Sequence, residues 1–345
     1  MKRTLLASVL AAAALRLAVL AGAGDTLAAW IQRAAVPPPA ATETAAAQTE
    51  SPAPAADPQA PRLAEVVTVE RARSEEAVST GETETEAAAE PTPVPADLSG
   101  GVIWHDRSGL SVDADALAAE PFTLTLSAAG PQVLIIHTHS SEAYTPDGYD
   151  SYEASDPYRT EDKTQSVIRV GDALAATLEG CGLTVLHDRE LYDYPSYTGS
   201  YSRSGAAVER YLTEYPTIAL VIDLHRDAIG SGDVVYRTRA VLDGASCAQV
   251  MLLAGTGANG LSHPNWRENL KLALWLQRTA EASCPGLMRP LEIVPERYNQ
   301  QLSPGSLILE VGSTGNSLRE AVLAATYFGR AVGPGLAEYI TNAAD

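Results

Sequence analysis

Hydrophobic positions divide this chain into three parts. Residues 1–24 open with MKR and continue as TLLASVLAAAALRLAVLAGAG, a small-residue and Leu-rich run flanked by positive charge. Residues 25–98 hold few bulky apolar side chains; Pro, Ala, Thr and Glu dominate, as in AAVPPPAATETAAAQTESPAPAADPQAP. From residue 99 to 345, apolar runs of strand length alternate with segments whose apolar residues recur at helical spacing. The runs are VLIIH (133–137), LTVLHD (183–188), IALVIDLH (218–225), AQVMLLAG (248–255) and SLILEVG (306–312). Between them, TQSVIRVGDALAATLEGCG (164–182) predicts a helix ending at glycine, and RSGAAVERYLTEYP (203–216) one ending at proline. NWRENLKLALWLQRTAEASCPG (265–286) predicts a long amphipathic helix, and NSLREAVLAATYFGRAVGPGLAEYI (316–340) a closing helix broken near residue 333.

Strands that are apolar throughout are strands covered on both faces. With helices between them they predict the α/β class: a single mixed, mostly parallel sheet flanked by helices on both faces. In such sheets ligands sit beyond the carboxyl ends of the strands. The core of this domain runs from about 130 to 342.

The N-terminal run has the chemistry of an export signal or membrane anchor, with AGAG at 21–24 offering a cleavage site. Arg16 is costly at a bilayer centre but can reach towards an interface. Either use places the rest of the chain outside the cytoplasm. The 25–98 segment lacks the apolar surface to offset its ordering entropy and reads as a tether; within it, 63–78 could form a short helix or strand. A net charge of −19 argues against nucleic acid, whose phosphates need a basic surface. Cys181, Cys247 and Cys284 form no CxxC pair and no zinc-ribbon spacing.

The unusual chemistry sits at the ends of apolar runs. His137 and His139, followed by Glu142, close the first; His225 closes the third in VIDLHRDA; Glu310 closes the last in LILEVGSTGN. In a parallel sheet these ends share one rim. Strand alternation would put His137 and His139 on one face. Imidazole with carboxylate is a ligand set that zinc prefers, and a further carboxylate can serve as general base. The bland alternatives are hydrogen-bonded structural histidines, a solvated loop at DLHRD, and an ion pair at Glu310.

HTHSSEAY, VGDALAATLEGCGLTVLHD, DLHRDA, RYNQQLSPGSLILEVGSTGN and the closing helix together resemble the stage II sporulation protein P family, of the zinc-dependent N-acetylmuramoyl-L-alanine amidase group. The resemblance covers roughly residues 130–342. It implies a zinc amidase-like fold and a zinc hydrolase cutting the N-acetylmuramoyl-L-alanine amide of peptidoglycan during engulfment, with cross-link cleavage also described for the family. It implies stage II sporulation proteins D and M as partners, and a single-pass N-terminal anchor with the catalytic domain in the forespore–mother-cell intermembrane space. His225 would be a zinc ligand, one of His137 and His139 another, and Glu310 the catalytic base. The third ligand stays open: Glu142 is favoured, Glu161 sits early, and both His137 and His139 with His225 would make a three-histidine site. Arg226 is a candidate for a substrate carboxylate, or else for a salt bridge with Asp223 or Asp227.

Other signals are weaker. GTGANG (255–260) matches a dinucleotide pattern literally, but no helix opens within it, so a turn is expected. The serines of HSSE lack a nucleophile elbow. His187 and His263 read as surface or loop residues. LYDYPSYTGSYSRS (191–204) reads as a groove wall or as a loop packed by its own rings.

Overall fold

Side-chain alternation along the strands sorts the core into two layers. The coordinates are a computed structural model that describes residues 102–120, 124–145, 158–231 and 234–341. The expected anchor and tether lie outside those residues. Among the described residues, no helix is long and apolar enough to cross a membrane.

Seven strands form one sheet: β1 (Trp104–Asp106), β2 (Val133–Ile136), β3 (Val185–His187), β4 (Leu220–Asp227), β5 (Val250–Gly255), β6 (Leu291–Val294) and β7 (Ser306–Ser313). Their spatial order is β1-β6-β5-β7-β4-β2-β3. Five of the six neighbouring pairs are parallel, and β5 with β7 is the antiparallel one. The mixed, mostly parallel α/β sheet is thus present. Strands β7, β4, β2 and β3 run one way and β1, β6 and β5 the other. Three short two-stranded pairs lie outside the sheet: Leu126–Ser127 with Ile340–Thr341, Gly230–Ser231 with Val234–Val235, and Ala240–Leu242 with Ala245–Cys247.

The helices are α1 (Ala114–Ala119), α2 (Val167–Gly180), α3 (Ser200–Glu214), α4 (Trp266–Ser283) and α5 (Leu318–Ala337). Odd positions of β2 (Val133, Ile135) and even positions of β4 (Leu220, Ile222, Leu224) join α2, α4 and α5 in the main core. Leu134, Ile136 and Val221 point the other way, against Ala207 and Val208 of α3. One face therefore carries three of these long helices and the other carries one. A fully buried Leu174 or Leu224 contributes about 1.5–3 kcal/mol by leaving water.

Helix ends follow their chemistry. Ser166 caps α2 by accepting from the Ile168 N–H, and Gly182 follows with φ +97. Ser317 and Glu320 form a reciprocal capping box at α5. The expected break near 333 does not occur: α5 runs through Gly333 and Pro334 to Ala337. Gly333 is a close approach instead, since a Cβ there would meet Cys181 Sγ at 2.7 Å. Strands β1 and β6 were not legible as apolar runs. The strand of 133–137 also ends early, at Ile136, so His137 and His139 stand in a turn and the alternation argument for them fails.

Candidate metal centre

The turn after β2 is shaped by polar anchors on other elements. The Thr138 N–H and hydroxyl both donate to Asp223 on β4, at 2.8 and 2.6 Å. Ser140 Oγ donates back to the His137 carbonyl. The Ser141 N–H and hydroxyl donate to Asp193 at 3.0 and 2.7 Å, and the Glu142 N–H reaches the His139 carbonyl. The result sets His139 and Glu142 side by side. Along β4, Asp223, His225 and Asp227 alternate with the core residues and face the single-helix side. Glu310 on β7 pairs with His225 in register, so the two stand abreast on that same face.

His139, Glu142 and His225 converge, with ligating atoms within 4.8 Å of one another. His139 Nδ1 lies 3.4 Å from Glu142 Oε1, and His225 Nδ1 lies 3.4 Å from Glu142 Oε2. The Arg226 N–H also donates to Glu142 Oε2 at 3.0 Å. Behind His225, Nε2 lies 3.0 Å from Asp223 Oδ1, although the angle is not that of a hydrogen bond. All three residues are buried. Burial by itself would raise the Glu142 carboxyl; the His225 charge, then hydrogen bonds from His139 and His225, hold it well below the ordinary value. Asp223 is likewise held low against its burial, chiefly by His225. His225 in turn is pushed well above its ordinary value by Asp223 and Glu142, despite burial. Two buried carboxylates around the imidazoles make a place that favours positive charge.

Burial pushes the Glu310 carboxyl up to about 8; Asp227 and Glu142 add to the rise, while His225 and Arg289 oppose it. Asp227 is itself paired with Arg289 at 2.7 Å. Among the described residues, Glu310 Oε2 is a buried atom without a hydrogen-bond partner, as are the Nε2 atoms of His139 and His225 behind the Nδ1 atoms that face Glu142. Orphaned buried donors and acceptors are costly unless something satisfies them. With a two-histidine, one-carboxylate donor set, these residues fit a divalent zinc-type ion.

Several candidates stand elsewhere. His137 is fully buried, with Nδ1 donating to the Leu224 carbonyl and Nε2 facing His187 Nε2, both at 2.8 Å. His187 continues to Asp172 at 3.1 Å. Both nitrogens of His137 are therefore engaged away from the cluster, and His187 is no surface residue. Arg226 lines the cavity and makes neither expected salt bridge, with Asp223 or with Asp227. Its guanidinium donates to the carbonyls of Ala143 and Tyr158, at 3.3 and 3.1 Å, clasping the two ends of the segment that carries Glu142. Glu161 is exposed. His263 is buried, with neither ring nitrogen hydrogen-bonded among the described residues. GTGANG makes a turn after β5, with Gly257 at φ +71, and α4 begins only at Trp266.

The cluster opens into a cavity of about 200 Å³. Met251, Leu253 and Ile308 of β5 and β7 form its apolar floor, and Tyr197, Tyr201 and Tyr298 a wall. The site lies over the sheet face beside α3, not only off a strand rim. The tyrosine segment is thus part groove wall, while Tyr192 is buried in the core. Asp223, Asp193 and Arg159 were not singled out from sequence for the work they do here.

The fold and this cluster define an α/β protein with a buried histidine–carboxylate centre on one face of its sheet. The chain belongs to the stage II sporulation protein P family, whose sequence model matches residues 38–333. It is 31% identical over 210 residues to the stage II sporulation protein P of Bacillus subtilis strain 168, covering 56% of this chain and 48% of that protein. The chain thus spans about half the length of that relative. Among solved structures it is similar to the N-acetylmuramoyl-L-alanine amidase AmiC2 of Nostoc punctiforme, at 12% identity and a TM-score of 0.33, covering 61% of this chain and 97% of that one. An N-acetylmuramoyl-L-alanine amidase from Clostridium difficile 630 gives 13% identity and a TM-score of 0.35, covering 61% and 96%. Neither likeness assigns a role to a residue of this chain.

Proposed function

We propose that this chain hydrolyses the amide joining the lactyl group of N-acetylmuramic acid to the L-alanine of the peptidoglycan stem, with one zinc ion held by His139, Glu142 and His225. The observation that carries the reading is the buried His139–Glu142–His225 cluster with Glu310 abreast of His225. Zinc, when bound in such a site, acidifies a water and polarises the scissile carbonyl. Glu310 takes the proton of the attacking water and delivers it to the departing nitrogen, so no covalent intermediate is needed. Its raised affinity for a proton suits the second half of that exchange, and a nearby cation lowers it for the first. Asp223 backs His225, and Arg226 holds the backbone around Glu142. The apolar floor and tyrosine wall give the cavity the lining of a small-molecule or peptide site.

The setting belongs to the same proposal. Residues 1–24 would hold the protein at a membrane, 25–98 would give it reach, and stage II sporulation proteins D and M would work beside it during engulfment. Family membership and the export-type N-terminus support this.

The test is digestion of purified sacculi with product analysis and metal content measured together. Release of free stem peptides, with about one zinc per chain, supports the reading. Intact stems with lost cross-links would make the protein a cross-link peptidase. A metal-free protein with no products would make it a wall-binding scaffold. Glu310→Ala should abolish release and keep its zinc; His225→Ala should lose both.

A further inference from the structure

The two histidines of the cluster are supported differently. A metal-binding histidine usually gives its second ring nitrogen to a carboxylate, carbonyl or water, which fixes the ring. His225 has Asp223 behind it at 3.0 Å. Neither Nε2 makes a hydrogen bond among the described residues, so the difference lies in the charge-pair distance to Asp223 that His225 has, whereas no ion pair of His139 Nε2 is found among them. What surrounds its ring is aromatic. Tyr197 stacks on it with centroids 4.7 Å apart and planes 27° from parallel. Tyr201 and His225 meet it edge-on, at 5.4 and 5.0 Å.

Tyr197 is itself held on both sides of its sequence. Arg203 of α3 donates to the carbonyls of Tyr192, Ser196 and Thr198, which bracket the tyrosine. Arg159 lays its guanidinium over the Tyr197 ring, 4.8 Å from the centroid. Arg159 is fixed by Asp193 at 2.7 Å, and Asp193 also anchors the Ser141 N–H and hydroxyl, one residue before Glu142. One buried carboxylate thus ties together the turn bearing two ligands and the cation that presses on the stack.

We propose that Tyr197, backed by Arg159, is a positioning residue that fixes the His139 ring for metal binding by stacking, in place of a hydrogen-bonded outer carboxylate. The inference rests on the metal-centre reading. It assigns the work to the ring face, so the tyrosine hydroxyl is dispensable.

The experiment measures zinc affinity of the full chain by competition with a chromophoric chelator, alongside thermal unfolding of the zinc-free protein. Tyr197→Ala should weaken zinc binding about 10- to 100-fold, the range seen when outer-shell support is removed. Tyr197→Phe should restore the native affinity. Arg159→Gln should weaken binding about two- to five-fold, the worth of one cation–π contact. That variant stands in should Tyr197→Ala fail to fold. The proposal is overturned if the variants bind zinc as tightly as the native chain. It is also overturned if Tyr197→Ala raises KM for sacculi while zinc affinity holds, which would make the ring a substrate wall only. A native chain that binds no zinc sinks both this inference and the function it rests on; a native chain that binds zinc beside an equally tight Tyr197→Ala sinks this one alone.

Discussion

His137 shows how one buried side chain can set a pH limit. Its value is driven down to about 3, chiefly by burial and then by the charge of His187. In the unfolded chain it titrates near 6.5. Between those two values the unfolded chain takes up a proton that the folded chain refuses. The contribution of His137 is therefore full above pH 6.5 and is lost as the pH drops towards 3, by about 1.4 kcal/mol per unit. Urea unfolding at pH 7 and pH 5 should show that slope, and His137→Phe should reduce it, leaving the part that buried His263, lowered to about 4 by burial, adds in the same direction; an unchanged slope would reassign it to other groups. At Glu310 the expectation is kinetic. Glu310→Gln should lower turnover by about 10²- to 10⁴-fold, the usual worth of a general base, with zinc content unchanged. Arg226→Ala should act on stability first, because the buried carbonyl of Ala143 loses its side-chain donor, at about 1–3 kcal/mol, while the half-buried Tyr158 carbonyl keeps only the Ala143 N–H. Calorimetry would register this as a lower Tm, whereas a substrate-binding role would leave Tm in place. His139, Glu142, His225 and Glu310 were legible because ionisable groups beside apolar runs are costly unless used. The choice between His137 and His139 was not, because it turns on where the strand stops. Asp223 and Asp193 were hidden by distance: their turn partners lie 85 and 52 residues away along the chain.

Among the elements, the end of β7 carries the most constraint. A register shift falls between Glu310 and Ser313. Gly312 there has φ +70, and a Cβ on it would stand 2.9 Å from Asn316 Oδ1. That oxygen accepts the N–H groups of Ser313 and Thr238, at 2.9 and 3.1 Å. The Asn316 amide donates to the Thr238 carbonyl and to Glu320 Oε2. Asn316 therefore ties the irregular end of β7 at Ser313, three residues beyond Glu310, to the start of α5. Gly312→Ala should cost about 1–3 kcal/mol through backbone strain and should lower turnover by shifting Glu310 while zinc is retained. Denaturation curves and sacculus digestion on the same preparation would check both halves; a stable, fully active variant would remove the strain argument. The residues of LILEVGSTGN were readable as a motif, but the bulge that gives Gly312 and Asn316 their work appears only when β4 and the 238 segment arrive. The glycine-containing break expected near 333 misled for a related reason: Gly333 serves packing against Cys181, and α5 continues through Pro334 in its last turn.

Across the molecule, five of seven strands and all four long helices were visible in the hydrophobic pattern, because burial on two faces writes continuous apolar runs. Strands β1 and β6 escaped it: they are short and interrupted by His105, Asp106 and Glu292, of which His105 and Glu292 pair with each other, Glu292 also with Arg107, and Asp106 accepts from Ser108 and the Val112 N–H. On the proposed zinc reading, a centre of clustered buried charge would also link metal to folding. Anything bound only by the folded state adds stability, about 2.7 kcal/mol at a hundredfold excess over Kd. Stripping the full chain with a chelator should lower Tm by several degrees, and added zinc should restore it; an unmoved Tm would argue against an ion in this site. The unequal dressing of the sheet has a further use. The three-helix side supplies most of the apolar burial, while the chemistry and the tyrosine wall lie on the side with α3 alone. On the proposed function, engineering can thus treat the two sides as separate dials: libraries confined to Tyr201, Tyr298 and Leu253 should retune substrate choice while the apolar layer beneath keeps its packing.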